Sequence, residues 1–133
     1  MDNLNVGDNT PIKLKVSVQT EAISMTSGFL YNSSEDETPY SNISPFDPTL
    51  NPGWKLLDKG NVVKDKIFRV ITYFKFYNNI SNEETFNLAI EQIKNTYTSE
   101  VKGGNPSPYK TEVTVESFYS TKTCFVESEL KLI

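Results

Sequence analysis

Ile67-Phe68-Arg69-Val70-Ile71-Thr72-Tyr73-Phe74-Lys75-Phe76-Tyr77 is the stretch on which the fold turns. Phe68, Val70, Phe74 and Phe76 share one parity; Ile71, Tyr73 and Tyr77 share the other, with Arg69 and Lys75. Successive side chains of a strand point to opposite faces, so the stretch reads as a strand from Ile67 to Tyr77 with apolar groups on both faces. A strand of that kind is expected at the centre of a sheet, covered on two sides.

Upstream, Trp54 to Leu57 and Val62 to Val63 flank Asp58-Lys59-Gly60-Asn61, which reads as a hairpin turn. Nearer the N-terminus, Ile12, Leu14, Val16 and Val18 alternate with Lys13, Lys15, Ser17 and Gln19, a strand with one wet face. The phase then slips, with Ile23, Met25 and Ser27 on odd positions, so a bulge or turn is expected near Thr20 to Ala22. Residues 1–10 are polar and acidic and read as a flexible arm.

Residues 32–53 are expected to form one long loop. It opens on Asn32-Ser33-Ser34-Glu35-Asp36-Glu37 and is punctuated by Pro39, Pro45, Pro48 and Pro52. Loops of this length inside a domain are usually functional or disordered. This one carries Tyr40, Ile43, Phe46 and Leu50, and Trp54 follows it. Aromatic and aliphatic anchors beside prolines are typical of interfaces, which makes Tyr40, Ile43, Phe46, Leu50 and Trp54 the candidate interface residues.

Downstream of the central strand, Ser81 and Glu84 form an S-x-x-E capping box, and Glu83 and Glu84 complement the helix dipole. Phe86, Ala89, Ile90, Ile93 and Tyr97 make one helical stripe, and Lys102-Gly103-Gly104 is the expected stop, so a helix is predicted over about 82–102. Asn105 to Pro108 read as a connector. Two alternating strands follow, Tyr109 to Glu116 and Cys124 to Leu132, with a hairpin turn or bulge near Tyr119 to Lys122. The expected fold is α+β: a mainly antiparallel β-sandwich or barrel with one amphipathic helix packed on the sheet, as a single domain over residues 11–133.

The size of the chain, 133 residues, suits one domain able to bury a core without disulfides. Only 37 % of residues are hydrophobic, but eight Phe, seven Tyr and one Trp bury large areas each, which argues against disorder. The chain has no His, so Ser-His and Cys-His nucleophiles and His-bearing metal sites are excluded within it. The lone Cys124, on an apolar face, reads as a small buried hydrophobe. No phosphate-cradling glycine motif is present. Glu112, Glu116, Glu127 and Glu129 are the remaining acids able to act in pairs, but their alternation with apolar residues reads as a solvated sheet face. No cofactor or metal is implied.

Net charge is −4, with the thirteen Lys and Arg residues scattered along the chain rather than forming a basic stripe. Sequence-specific nucleic-acid binding and membrane binding are therefore not expected. No apolar run reaches the roughly 20 residues of a membrane helix. The N-terminus lacks the basic and apolar regions of a signal peptide. Three Asn-x-Ser/Thr triplets, at Asn32, Asn42 and Asn79, read as chance.

In layout alone, with a mobile arm, strands, a long loop, one flanking helix and further strands, the chain is similar to tail-tube and tail-completion proteins of phages and contractile injection systems. No diagnostic residue carries that likeness, so it is an analogy of architecture. It implies a non-enzymatic structural subunit of a larger protein particle, a virion tail or connector component. Such a subunit would form rings with copies of itself and other proteins, in a virion or a cytoplasmic assembly. The alternative is a monomeric module that binds a carbohydrate, a peptide or a target of inhibition through residues 32–54.

Overall fold

The computed structural model describes residues 1–50, 52–77 and 80–133. Asn51 of the predicted loop and Asn79 of the third triplet lie outside the described residues. The first six residues do not form the expected flexible arm. Asp2–Val6 is a strand, β1, with Leu4 and Val6 buried. Two apolar residues two apart are a weak local signal, but they complete a sheet whose other strands lie far along the chain. The next strand, β2 (Pro11–Ser17), buries Ile12, Leu14 and Val16 as its alternation requires.

The phase slip after Val18 is a crossing between sheets. β3 (Ile23–Tyr31) belongs to a different sheet from β2. Its inward positions are Ser24, Thr26, Gly28 and Leu30, so the odd-numbered Ile23, Met25 and Phe29 face outward. Small residues are required inside: a Cβ on Gly28 would stand 3.1 Å from the Phe68 ring. The long loop also resolves differently, because Ser41–Phe46 is a strand, β4, paired antiparallel with β3.

β5 (Lys55–Lys59) leads into the short helix α1 (Gly60–Val63) rather than a hairpin. Gly60 lies so close to the Gly7 carbonyl that a Cβ would collide with it, which ties this turn to the N-terminal segment. β6 (Ile67–Lys75) is central, between β3 and a late strand, but full cover runs only along its even face; on the odd face Ile67 is buried and Tyr73 exposed.

The helix α2 spans Glu83–Thr96, shorter than predicted. Its N-cap is Asn82, whose Oδ1 accepts from the Thr85 N–H at 2.8 Å, not Ser81. Thr98–Lys102 leaves the helix as strand β7, with Ser99 and Val101 turned inward. β-branched Thr98 and Val101 suit a strand, and sheet pairing with β2 overrides the helical reading. Gly103, at φ 102°, ends that strand instead of the helix. The expected strand 109–116 is split by sheet: after β8 (Gly104–Asn105), β9 (Tyr109–Lys110) pairs with β7, whereas β10 (Thr114–Phe118) pairs with β11 (Thr123–Leu132). A 3₁₀ turn at Tyr119–Thr121 and left-handed Lys122 close the last hairpin.

The larger sheet has the order β4-β3-β6-β11-β1-β8, and the smaller β5-β2-β7-β9. Pairing is antiparallel except between β1 and β11. One edge of β11 is shared: β10 takes Thr123 to Glu127 and β1 takes Leu130 to Leu132. The inner face of the larger sheet is covered twice. At one end Leu30, Phe68, Val70 and Leu130 pack on Ile12, Leu14, Val16 and Val101 of the smaller sheet. At the other, Phe74, Phe76, Cys124 and Val126 pack on Phe86, Ile90 and Ile93 of α2. The expected α+β fold, dominated by antiparallel sheet with one main helix packed on it, is therefore present.

Candidate interaction surfaces

The five residues singled out in sequence do not form one surface. Ile43 is buried in the core, and Phe46 packs partly against it. Tyr40 is exposed beneath the Lys66 ammonium, 4.4 Å from its ring centre. Leu50 is 82 % exposed. Trp54 is half-buried, with Lys102 Nζ 4.4 Å and Lys15 Nζ 5.8 Å from its ring centre. The structure does bring Ile43, Phe46 and Trp54 to one shallow groove of about 500 Å³ between β4 and β5, with Lys55 and Leu56.

Around Trp54, strand pairing gathers lysines that are scattered in sequence. Lys13 stands opposite Lys102, and Lys15, Glu100 and Lys110 form the next cross-strand row. All lie on the solvent side of the smaller sheet, because their neighbours Leu14 and Val101 point into the core. The expectation that the basic residues form no cluster is thus corrected. The alternation Lys13-x-Lys15 carries half of this signal; the other half needs the β2–β7 register.

The larger sheet presents the opposite character. Cross-strand rows on its outer face are Met25–Tyr73–Phe125–Glu116 and Ser27–Ile71–Glu127–Thr114. The Tyr73 and Phe125 rings lie 5.2 Å apart, and Phe118 meets Phe125 edge-on at 6.2 Å. Ile23, Met25, Tyr73 and Phe118 are 63, 46, 38 and 44 % exposed. Further along the sheet, Arg69 is held by Glu129 through two N–H bonds to one carboxylate oxygen, at 2.8 and 3.1 Å, and stacks on Tyr31. Pairing with Glu129 raises the Arg69 pKa further.

The carboxylates do not face each other as the hairpin reading allowed. Glu116 is opposite Phe125 and Glu127 opposite Thr114. Glu112, Glu127 and Glu129 instead line a recess of about 330 Å³ with Asp2 and Arg69, where β10 ends and β1 begins along β11. Asp2 accepts a 2.6 Å hydrogen bond from the Tyr109 hydroxyl, which pushes the phenol pKa up to about 12. Among the described residues no group of three or more His, Cys, Asp or Glu side chains is placed to hold a metal ion. Cys124 is buried, and burial pushes its thiol up to about 11, so little thiolate forms at neutral pH. Among the described residues no helix is long and apolar enough to cross a membrane.

The chain matches no family model, no curated protein and no solved structure.

Proposed function

We propose that the chain is a non-enzymatic structural subunit of a larger protein assembly, joined to copies of itself and to other proteins through its open sheet faces. The observation that carries this reading is the outward-facing row Met25–Tyr73–Phe125 across three central strands, with Met25 and Tyr73 exposed, Phe125 half-buried, and exposed Ile23 and Phe118 beside it. Contiguous apolar surface rimmed by charge marks contact sites, and Met and aromatic residues are enriched at interface cores. The simplest particle in this reading is a virion tail or connector, or the tube of a contractile injection system, by analogy of layout.

One observation favours a monomeric binding module instead: the groove between β4 and β5, where Trp54 and Phe46 lie beside Lys55. Such a groove suits a short peptide or a sugar. Sedimentation velocity over a range of protein concentrations separates the two readings. The assembly reading expects a mass that grows with concentration and a Tyr73→Asp/Phe125→Asp variant that stays monomeric. A wild-type chain that is monomeric throughout, with the variant indistinguishable from it, overturns the assembly reading.

A further inference from the structure

We infer that the open face of the larger sheet is covered by the lysine-bearing face of the smaller sheet of a second copy, packed head to tail. This inference rests on the assembly reading and adds the identity of the partner surface.

The lysine face carries unbalanced charge. Lys13 and Lys102 are directly opposite across the β2–β7 ladder, where like charges repel. Across the β2, β7 and β9 rows Glu100 is the acid in their midst, against four lysines, with Asp58 further along the neighbouring β5. Among the described residues the ion pairs are Arg69–Glu129 and Lys94–Glu91, and neither engages this face. In a chain of net charge −4 such a surplus is local, and the acids lie elsewhere.

The larger sheet supplies what this face lacks. Glu116 and Glu127 flank the rings of Tyr73 and Phe125 at the middle of the face. Arg69 there is already tied to Glu129, while Lys75 and Lys131 sit towards the two ends of the β6–β11 ladder. Lysine stems, Trp54 and Leu56 would cover the rings while the ammonium groups reach the carboxylates or the ring faces. The lysine face against itself would set like charges together, so a symmetric pair through that face is disfavoured. The two faces lie on opposite sides of the sandwich, so the contact is heterologous and propagates as a stack or closes as a ring.

Sedimentation velocity at low and high salt tests this with two charge-reversed variants, Lys13→Glu/Lys102→Glu and Glu116→Lys/Glu127→Lys. Wild-type association should weaken about ten-fold or more at high salt. Each variant alone should lose association, and an equal mixture of the two should regain it, because each then offers an intact face to the other. Recovery in the mixture also shows that both variants are folded. If both variants associate like wild type while Tyr73→Asp/Phe125→Asp does not, the assembly reading stands and the lysine face is not the partner. If the wild type stays monomeric and its lysine face instead binds heparin, the inference is overturned in favour of a polyanion. A monomer that binds neither overturns it together with the assembly reading.

Discussion

The Tyr97 hydroxyl lies 2.7 Å from Thr72 Oγ1, which lies 2.8 Å from Thr26 Oγ1, so one hydroxyl chain crosses from the end of α2 into β6 and β3. Tyr97 packs against both core clusters, the one beneath the smaller sheet and the one beneath the helix. It is the residue at which the chain changes from helix to strand. Burial pushes its phenol up to about 12, against the opposing pull of the Thr72 hydrogen bond. An unfolded tyrosine titrates near pH ~10. The folded state therefore disfavours the phenolate: the contribution is complete below about pH 10 and is lost as pH rises towards the folded value. Urea melts should show stability falling between about pH 10 and 12. Tyr97→Phe should flatten that fall and cost about 0.5–1.5 kcal/mol at neutral pH for the lost hydrogen bond. An unchanged alkaline slope in the variant would show that Tyr97 is not what titrates.

Ile93 should be among the costliest single positions on the helix. It is fully buried, in the cluster that joins Phe86 and Ile90 to Phe74 and Val126. Ile93→Ala should destabilise by ~2–5 kcal/mol, lost transfer energy plus a residual cavity. A change under about 1 kcal/mol in urea melts would mean that the helix stripe does not carry the packing seen here.

These two positions also mark where sequence reading succeeds and where it stops. Ile93 is legible because its stripe, Phe86, Ala89, Ile90 and Ile93, repeats at helical spacing, and the alternations in β2 and β11 are legible because they repeat at strand spacing. Tyr97 continues that stripe, yet the helix ends before it, because Thr98 to Lys102 gain sheet bonds from β2, about eighty positions upstream. Met25 and Ile23 look like core by hydrophobicity. They face outward because Ser24, Thr26, Gly28 and Leu30 take the inner side of β3, where at Gly28 even a Cβ would crowd the Phe68 ring. The lysine face depends on register between distant strands, so no linear scan for basic runs finds it. Of the predicted interface residues, Trp54 belongs to that face, whereas Ile43 belongs to the core.

Removing residues 1–6 should unsettle the fold rather than trim a tail. Leu4 is fully buried, β1 hydrogen-bonds to β11, and Asp2 accepts from Tyr109 on the smaller sheet. The single change Leu4→Ala should cost ~2–5 kcal/mol, so the deletion should cost more than the point variant. Thermal melts of both variants provide the comparison. A deletion as stable as wild type would restore the reading of this segment as a free arm.

The acids of β10 and β11 should tolerate neutralisation, with one graded exception. Glu112, Glu116 and Glu127 are exposed, and Glu→Gln at each should leave stability within about 0.5 kcal/mol. Glu129 is the exception because both Arg69 N–H bonds end on it. The pair is roughly one-third exposed on each side, 34 and 31 %, so solvent screens it and Glu129→Gln should cost no more than about 1 kcal/mol. That difference should shrink in high salt, as expected for a surface pair. None of the four changes should abolish a chemical activity. A hydrolytic turnover of the purified chain that vanished on one Glu→Gln change, with the melt unaltered, would make the recess between β1 and β10 an active site and end the non-enzymatic reading.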